Sequence, residues 1–96
     1  MKFVVLPAAN DDLRHIDDWV ASNFGEATAA RVQRNLLAEF DRLARFQELG
    51  ILRPDVTSRA VRFLSSGPNW IVYQPGKPLV IHRVISAVMD ITTLGL

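Results

Sequence analysis

Residues 59–90, RAVRFLSSGPNWIVYQPGKPLVIHRVISAVMD, limit what this chain can fold into more than any other stretch. Three runs within it, residues 60–64, 70–74 and 79–85, are rich in Val, Ile or aromatic side chains. Such residues fit a pleated, half-buried surface. Ser65-Ser66-Gly67-Pro68 and Pro75-Gly76-Lys77-Pro78 separate the runs. Proline lacks the N–H a ladder needs and glycine tolerates positive φ, so both tetrapeptides suit tight reversals. Short links join antiparallel neighbours, which predicts a three-stranded meander. Trp70-Ile71-Val72-Tyr73 is apolar on both faces and suits its central strand.

The N-terminal half has a different period. Lys2-Phe3-Val4-Val5-Leu6 reads as a short strand stopped by Pro7. Ala9, Leu13, Ile16, Val20 and Phe24 then recur at helical spacing within an arc of about 80°. This helix begins somewhere between Pro7 and Asp11, and Asp11 and Asp12 sit where acids complement its positive end. Gly25 suits the position after its last turn. Trp19 lies beside the stripe, as half-buried packing or as a partner contact. A second helix over residues 26–47 carries the band Ala29, Val32, Leu36, Leu37, Phe40, Leu43 and Ala44. Arg31, Arg34, Arg42 and Arg45 share the opposite side, a solvated face with local pairs such as Asp41–Arg45 or a docking stripe for an acidic partner.

Two helices joined at Gly25 form a hairpin whose apolar bands need a sheet to cover. The first strand joins that sheet beside the last or central strand. The expected fold is α+β, in two layers. An N-terminal strand and an α-helical hairpin pack on a mainly antiparallel four-stranded sheet, in the order β-α-α-β-β-β. One sheet face is covered and the other partly open, and residues 1–96 make one domain.

Composition narrows the function. A chain of 96 residues has no cysteine, so neither disulfides nor thiolate metal sites are available. Its two histidines, His15 and His82, lack an i,i+4 partner, and no metal site is expected. No phosphate-cradling glycine motif and no GxSxG elbow occur. Eleven basic and ten acidic side chains leave a net charge of +1, too little to hold nucleic acid by a general positive field. No apolar run approaches the ~20 residues of a membrane span, and no secretion signal opens the chain. A cytoplasmic location is expected. The segment after Ile85 is apolar and almost uncharged, and should dock on its own domain or on a partner. Arg83 stands between Ile81 and Ile85, and needs an acidic partner, Asp90 or Asp55, or an open sheet face for binding.

The order of several short pieces resembles the ParE branch of the RelE/ParE toxin superfamily. They are Leu6-Pro7-Ala8-Ala9 with Asp12, Leu13 and Ile16; Asn23-Phe24-Gly25; residues 40–44 before a glycine loop; and Gly50 with Arg53-Pro54-Asp55-Val56. Val61-Arg62, Ile71-Val72-Tyr73 and Ile81-His82-Arg83-Val84-Ile85 leading to Asp90 complete the pattern. The resemblance implies a cytoplasmic toxin without cofactor that binds and inhibits DNA gyrase. It implies neutralisation by a ParD-like antitoxin, with DNA contacted only through that antitoxin. Arg59, Arg62, Arg83, Val88, Met89, Asp90 and Leu94 are then the candidate target-binding residues. Trp19, Arg31, Arg34, Arg42 and Arg45 are the candidate antitoxin contacts. The RelE branch instead cleaves mRNA on the ribosome with basic side chains and a proton-moving group. Here Trp70 stands where those nucleases carry Arg, and Val88-Met89-Asp90 where they carry basic residues and Tyr. No catalytic residue is therefore expected. Many ParE-like sequences place His and then a basic residue before the Asp; Ser86 and Met89 hold those places here.

Overall fold

The computed structural model describes residues 2–86. Strand β1 (Phe3–Val5) leads through an extended Leu6 into helix α1 (Pro7–Phe24), which starts on Pro7. Proline is suited to that place because a first-turn N–H has no intrahelical acceptor. With the helix starting so early, Asp11 and Asp12 fall in its second turn and do not serve its N-terminus. A single residue, Gly25, then links α1 to helix α2 (Glu26–Arg45). Its N–H donates to Ala21 O at 3.0 Å and its carbonyl accepts from Ala29 N at 3.1 Å, so it closes one helix and opens the next. The φ of +91° that permits this disfavours an L side chain, although a Cβ there would meet nothing within 4 Å.

The sheet has five strands, one more than expected. Ile51–Leu52 forms a short β2 ahead of β3 (Arg62–Ser66), β4 (Asn69–Gln74) and β5 (Leu79–Ser86). The order is β1-β5-β4-β3-β2, parallel between β1 and β5 and antiparallel elsewhere. Helix α2 stops at Arg45, two residues before the expected Gln47.

One irregularity decides which side chains share a face. Val72 pairs with Arg83 but its neighbour Tyr73 pairs with Ile81, leaving His82 as an extra residue in β5. This bulge shifts the alternation. Ile81 and Val84 join Ile71, Tyr73 and Leu79 against Ala9, Leu36, Phe40 and Leu43 of the helices. Ile85 falls on the other face with Val61, Phe63 and Val72, where Val56 and Trp70 pack against them. The second face thus carries a small core of its own, and Arg83 shares a face with Ile85 but not with Ile81.

Tyr73 ties the chain between α2 and β2 to the sheet. It is fully buried, and its hydroxyl donates to Gln47 O and accepts from Gly50 N–H, both at 2.7 Å. Gln47 in turn holds the β4–β5 turn. Its Nε2 donates to Gly76 O at 2.8 Å, and its Oε1 accepts from Gly76 N–H at 2.8 Å.

Candidate interaction surfaces

The arginines read as target-binding do not form one patch. Arg62 pairs with Tyr73 across β3 and β4, which puts it on the helix side of the sheet, and its Nη1 donates to Gly50 O at 2.8 Å. Arg59 lies in the loop before β3, close enough to His82 for their charges to interact. Arg83 points past the stretch of β5 that β1 leaves unpaired and meets Asp12 of α1. Nε donates to Oδ2 at 2.7 Å and Nη2 to Oδ1 at 2.9 Å. The same Oδ2 accepts Val84 N–H at 2.9 Å. Asp12 therefore does the work of a neighbouring strand where β5 has none among the described residues. The partner expected for Arg83 was Asp90 or Asp55. Asp55 is instead taken by Arg53, two residues before it, at 2.8–3.0 Å. That contact pushes the Arg53 guanidinium up and the Asp55 carboxyl down from their usual ranges. Val88, Met89, Asp90 and Leu94 lie outside the described residues.

The antitoxin candidates divide as well. Trp19 is 61% exposed, not half-buried, and stands edge-on to Phe24 with ring centroids 5.8 Å apart. No described element covers this pair at the end of the hairpin. Arg42 pairs with Glu39, and Arg45 with Asp41 at 3.5 Å while lying over the Phe46 ring. These exposed pairs contribute about a few tenths of a kcal/mol each. Arg31 and Arg34 are exposed and meet no carboxylate among the described residues. Between the two helices, Asn10, Leu13, Arg14, Asp17 and Asp18 of α1 and Gln33 and Leu37 of α2 line an open groove. Gln33 ties its walls together by donating to Leu13 O at 3.1 Å.

Sequence reasoning missed a second exposed apolar group at the other end of the molecule. Phe46, Leu49, Ile51 and Leu52 are each at least 40% exposed, around the end of α2 and β2. The signal was present in Leu49-Gly50-Ile51-Leu52, an apolar run just before Arg53-Pro54.

The titratable groups of the sheet are held in particular forms. Burial raises the Tyr73 phenol above its ordinary range. His82 sits opposite Gln74 at 3.1 Å, and burial and then Arg59 lower its pKa below the usual 6.5. Below about pH 6.5 the unfolded chain binds this proton more readily than the native one, so this group's contribution to stability is lost as pH falls. Unfolding curves at pH 7 and pH 5 should show a smaller acid loss for His82→Gln than for the parent. Arg59→Ala should move the imidazole midpoint, followed by NMR, back upward. An unmoved midpoint would remove Arg59 as a cause.

Among the described residues no group of His, Asp and Glu could hold a metal ion, and no helix is long and apolar enough to cross a membrane. No curated protein matches the chain. A chain of the chromosomal ParDE toxin–antitoxin system from P. aeruginosa shares its fold, with a TM-score of 0.75 at 22% identity. The match covers 90% of this chain and 95% of that one. The family model for the ParE toxin of the parDE type II toxin–antitoxin system matches residues 3–91. With its strand, helical hairpin and sheet all inside that span, this chain belongs to the ParE toxin family.

Proposed function

We propose that the chain is a cytoplasmic toxin that inhibits DNA gyrase by binding it, and that a ParD-like antitoxin neutralises it. Family membership supports the toxin–antitoxin setting. The observation that carries binding over bond cleavage is Tyr73. It is the chain's one tyrosine, and both of its hydroxyl contacts go to backbone groups in the core. With its phenol pushed up by burial, it is poorly placed to move a proton at a scissile phosphate. Trp70, at the position where the ribonuclease branch carries Arg, is an apolar partner of Phe63, with ring centroids 6.5 Å apart. The target contacts we assign are Arg59, Arg62 and Arg83 with Val88, Met89, Asp90 and Leu94. The antitoxin contacts are Trp19 and the arginines of α2. Exposed Arg31 and Arg34 would favour an acidic antitoxin segment along the hairpin.

The test is a supercoiling assay with purified gyrase. Stoichiometric chain should suppress supercoiling and trap cleaved DNA, added antitoxin should restore activity, and truncation after Asp90 should abolish the effect. Fresh codon-specific mRNA cuts after induction, with gyrase unaffected, would place the chain with the ribonucleases. Harmless overexpression without antitoxin would leave only an antitoxin-binding module.

A further inference from the structure

Every residue lining the groove between α1 and α2 belongs to a helix, and the sheet packs behind it on Ala9, Leu36 and Phe40. Leu37 is 47% exposed in this groove, and the two helices beside it differ in charge. Asp17 and Asp18 belong to the α1 wall. On α2, Arg34 precedes Leu37 by three residues and Arg31 precedes Arg34 by three, so the arginines continue the α2 wall toward the helix start. Asp18, Arg31 and Arg34 are exposed and Asp17 is half-buried. None of the four has an ion-pair partner among the described residues. Other charges nearby are already matched, Arg14 with Asp11 and Arg45 with Asp41.

The two sets also stand at one height along the hairpin. Asp17 and Asp18 come eight and seven residues before Gly25, and Arg31 and Arg34 six and nine after it. At a rise of 1.5 Å per residue, both sets lie about 9–14 Å from that corner. Consider a second copy laid over the groove by a two-fold axis that runs along it. Such an axis keeps every height and exchanges the helices, so α1 of one copy lies antiparallel over α2 of the other. The carboxylates of each copy then meet the arginines of its partner, twice over by symmetry, and the two Leu37 side chains meet near the axis. A two-fold axis across the hairpin would instead set α1 on α1, acid against acid. Exposed Ala30 and Ala38 on α2 leave room for a helix to approach. The helices have 18 and 20 residues, which gives a face of about 30 by 20 Å, roughly 600 Å² per partner. That is less than the roughly 800 Å² of a standard interface, so the contact is weak and relies on charge.

We infer that the free chain forms a weak two-fold dimer through its helical hairpin, with Asp17 and Asp18 of each copy against Arg31 and Arg34 of the other. The dimer needs neither antitoxin nor gyrase, and is independent of the function proposed above. Sedimentation equilibrium of the full chain tests it. At about 10 mM salt a dimer should form by about 500 µM chain, and its dissociation constant should rise at least tenfold at about 0.5 M salt. Asp17→Arg/Asp18→Arg and Arg31→Asp/Arg34→Asp should each abolish self-association, because each sets like charge on like. Mixed in equal amounts, the two variants should form a heterodimer within about threefold of the parent's affinity, since both contacts are again of opposite sign. If either variant fails to fold, Leu37→Glu, at an exposed position, should weaken the dimer at least tenfold. A parent that stays monomeric at low salt overturns the proposal and leaves this face to the antitoxin. A dimer that salt does not weaken, or that survives the charge reversals or Leu37→Glu, also overturns it and moves the contact to another surface, such as that of Phe46 and Ile51.

Discussion

Gly50→Ala is expected to lower the melting temperature by roughly 15 °C or more, about 3–5 kcal/mol. The reason is space, since Gly50 is not among the glycines with positive φ. A Cβ built there would stand 2.7 Å from both Cε1 and Oη of Tyr73 and 3.0 Å from the carbonyl of Phe63. The Phe63 carbonyl is sheet backbone and cannot yield. Tyr73 is fully buried, so its ring cannot swing into solvent, and overpacking of this kind typically costs about 1–3 kcal/mol. Any displacement of the ring also breaks the hydroxyl's bonds to Gln47 O and Gly50 N–H, and stranding such buried groups costs roughly 1–3 kcal/mol more. The two losses are coupled because they run through the same hydroxyl. Tyr73→Phe alone should lose about 1–3 kcal/mol. It removes the Oη clash but leaves Cε1, so the double variant should lose less than the sum of the two singles. Additive losses, or a drop of under about 3 °C for Gly50→Ala, would show that the loop has another way to close.

The contrast with Gly25 shows which parts of this fold can be read from a sequence. Gly25 was legible because its role is local: a helical stripe ends just before it and another begins just after. The meander was legible for the same reason, since each reversal is a run of Gly, Pro and Ser between β-branched runs. Asp41–Arg45 was legible as an i,i+4 pair. Gly50 could be placed in a loop, but its crowding depends on Tyr73, 23 residues away.

Other features fell outside that local reach. Two residues, Ile51 and Leu52, are too few to show a period, so β2 went unseen as a strand. Strict alternation groups Ile81, Arg83 and Ile85 on one face. The bulge at His82 separates them, and no residue type in Ile81-His82-Arg83-Val84 announces it. Trp19 beside an apolar stripe suggested packing, but a helix stripe is buried only where another element lies across it. The candidate site shares this limit. Residue types singled out the arginines as the charges to explain, but only the register puts Arg62 and Arg83 on opposite faces. The acid that meets Arg83 is 71 residues away in sequence, where no spacing rule applies.

That distant pair carries the other large effect. Asp12→Ala should destabilise the chain by about 2–4 kcal/mol, because one carboxylate satisfies three donors at once. Its side chain is 11% exposed, against 26% for Arg83, so water can replace little of what is lost. Without it, Val84 N–H is left at an unpaired part of β5 and the guanidinium loses its bidentate partner. The engagement with Asp12 also holds the Arg83 guanidinium above its ordinary pKa, so the cation persists at every pH where the fold is studied. Arg83→Met should cost less than Asp12→Ala, since Asp12 keeps Val84 N–H and the methionine stem still covers the strand. The order of the two losses, measured by denaturant unfolding, separates the carboxylate's roles. If Arg83→Met is the worse variant, the guanidinium carries the contact. If Asp12→Ala is worse, as expected, the carboxylate's hold on the edge of β5 contributes beyond the ion pair. Added salt should weaken this contact less than the surface pairs Arg42–Glu39 and Arg45–Asp41, because partly buried charges are screened less. Anchoring of α1 to the far end of β5 then depends on a partly buried pair that salt screens only weakly.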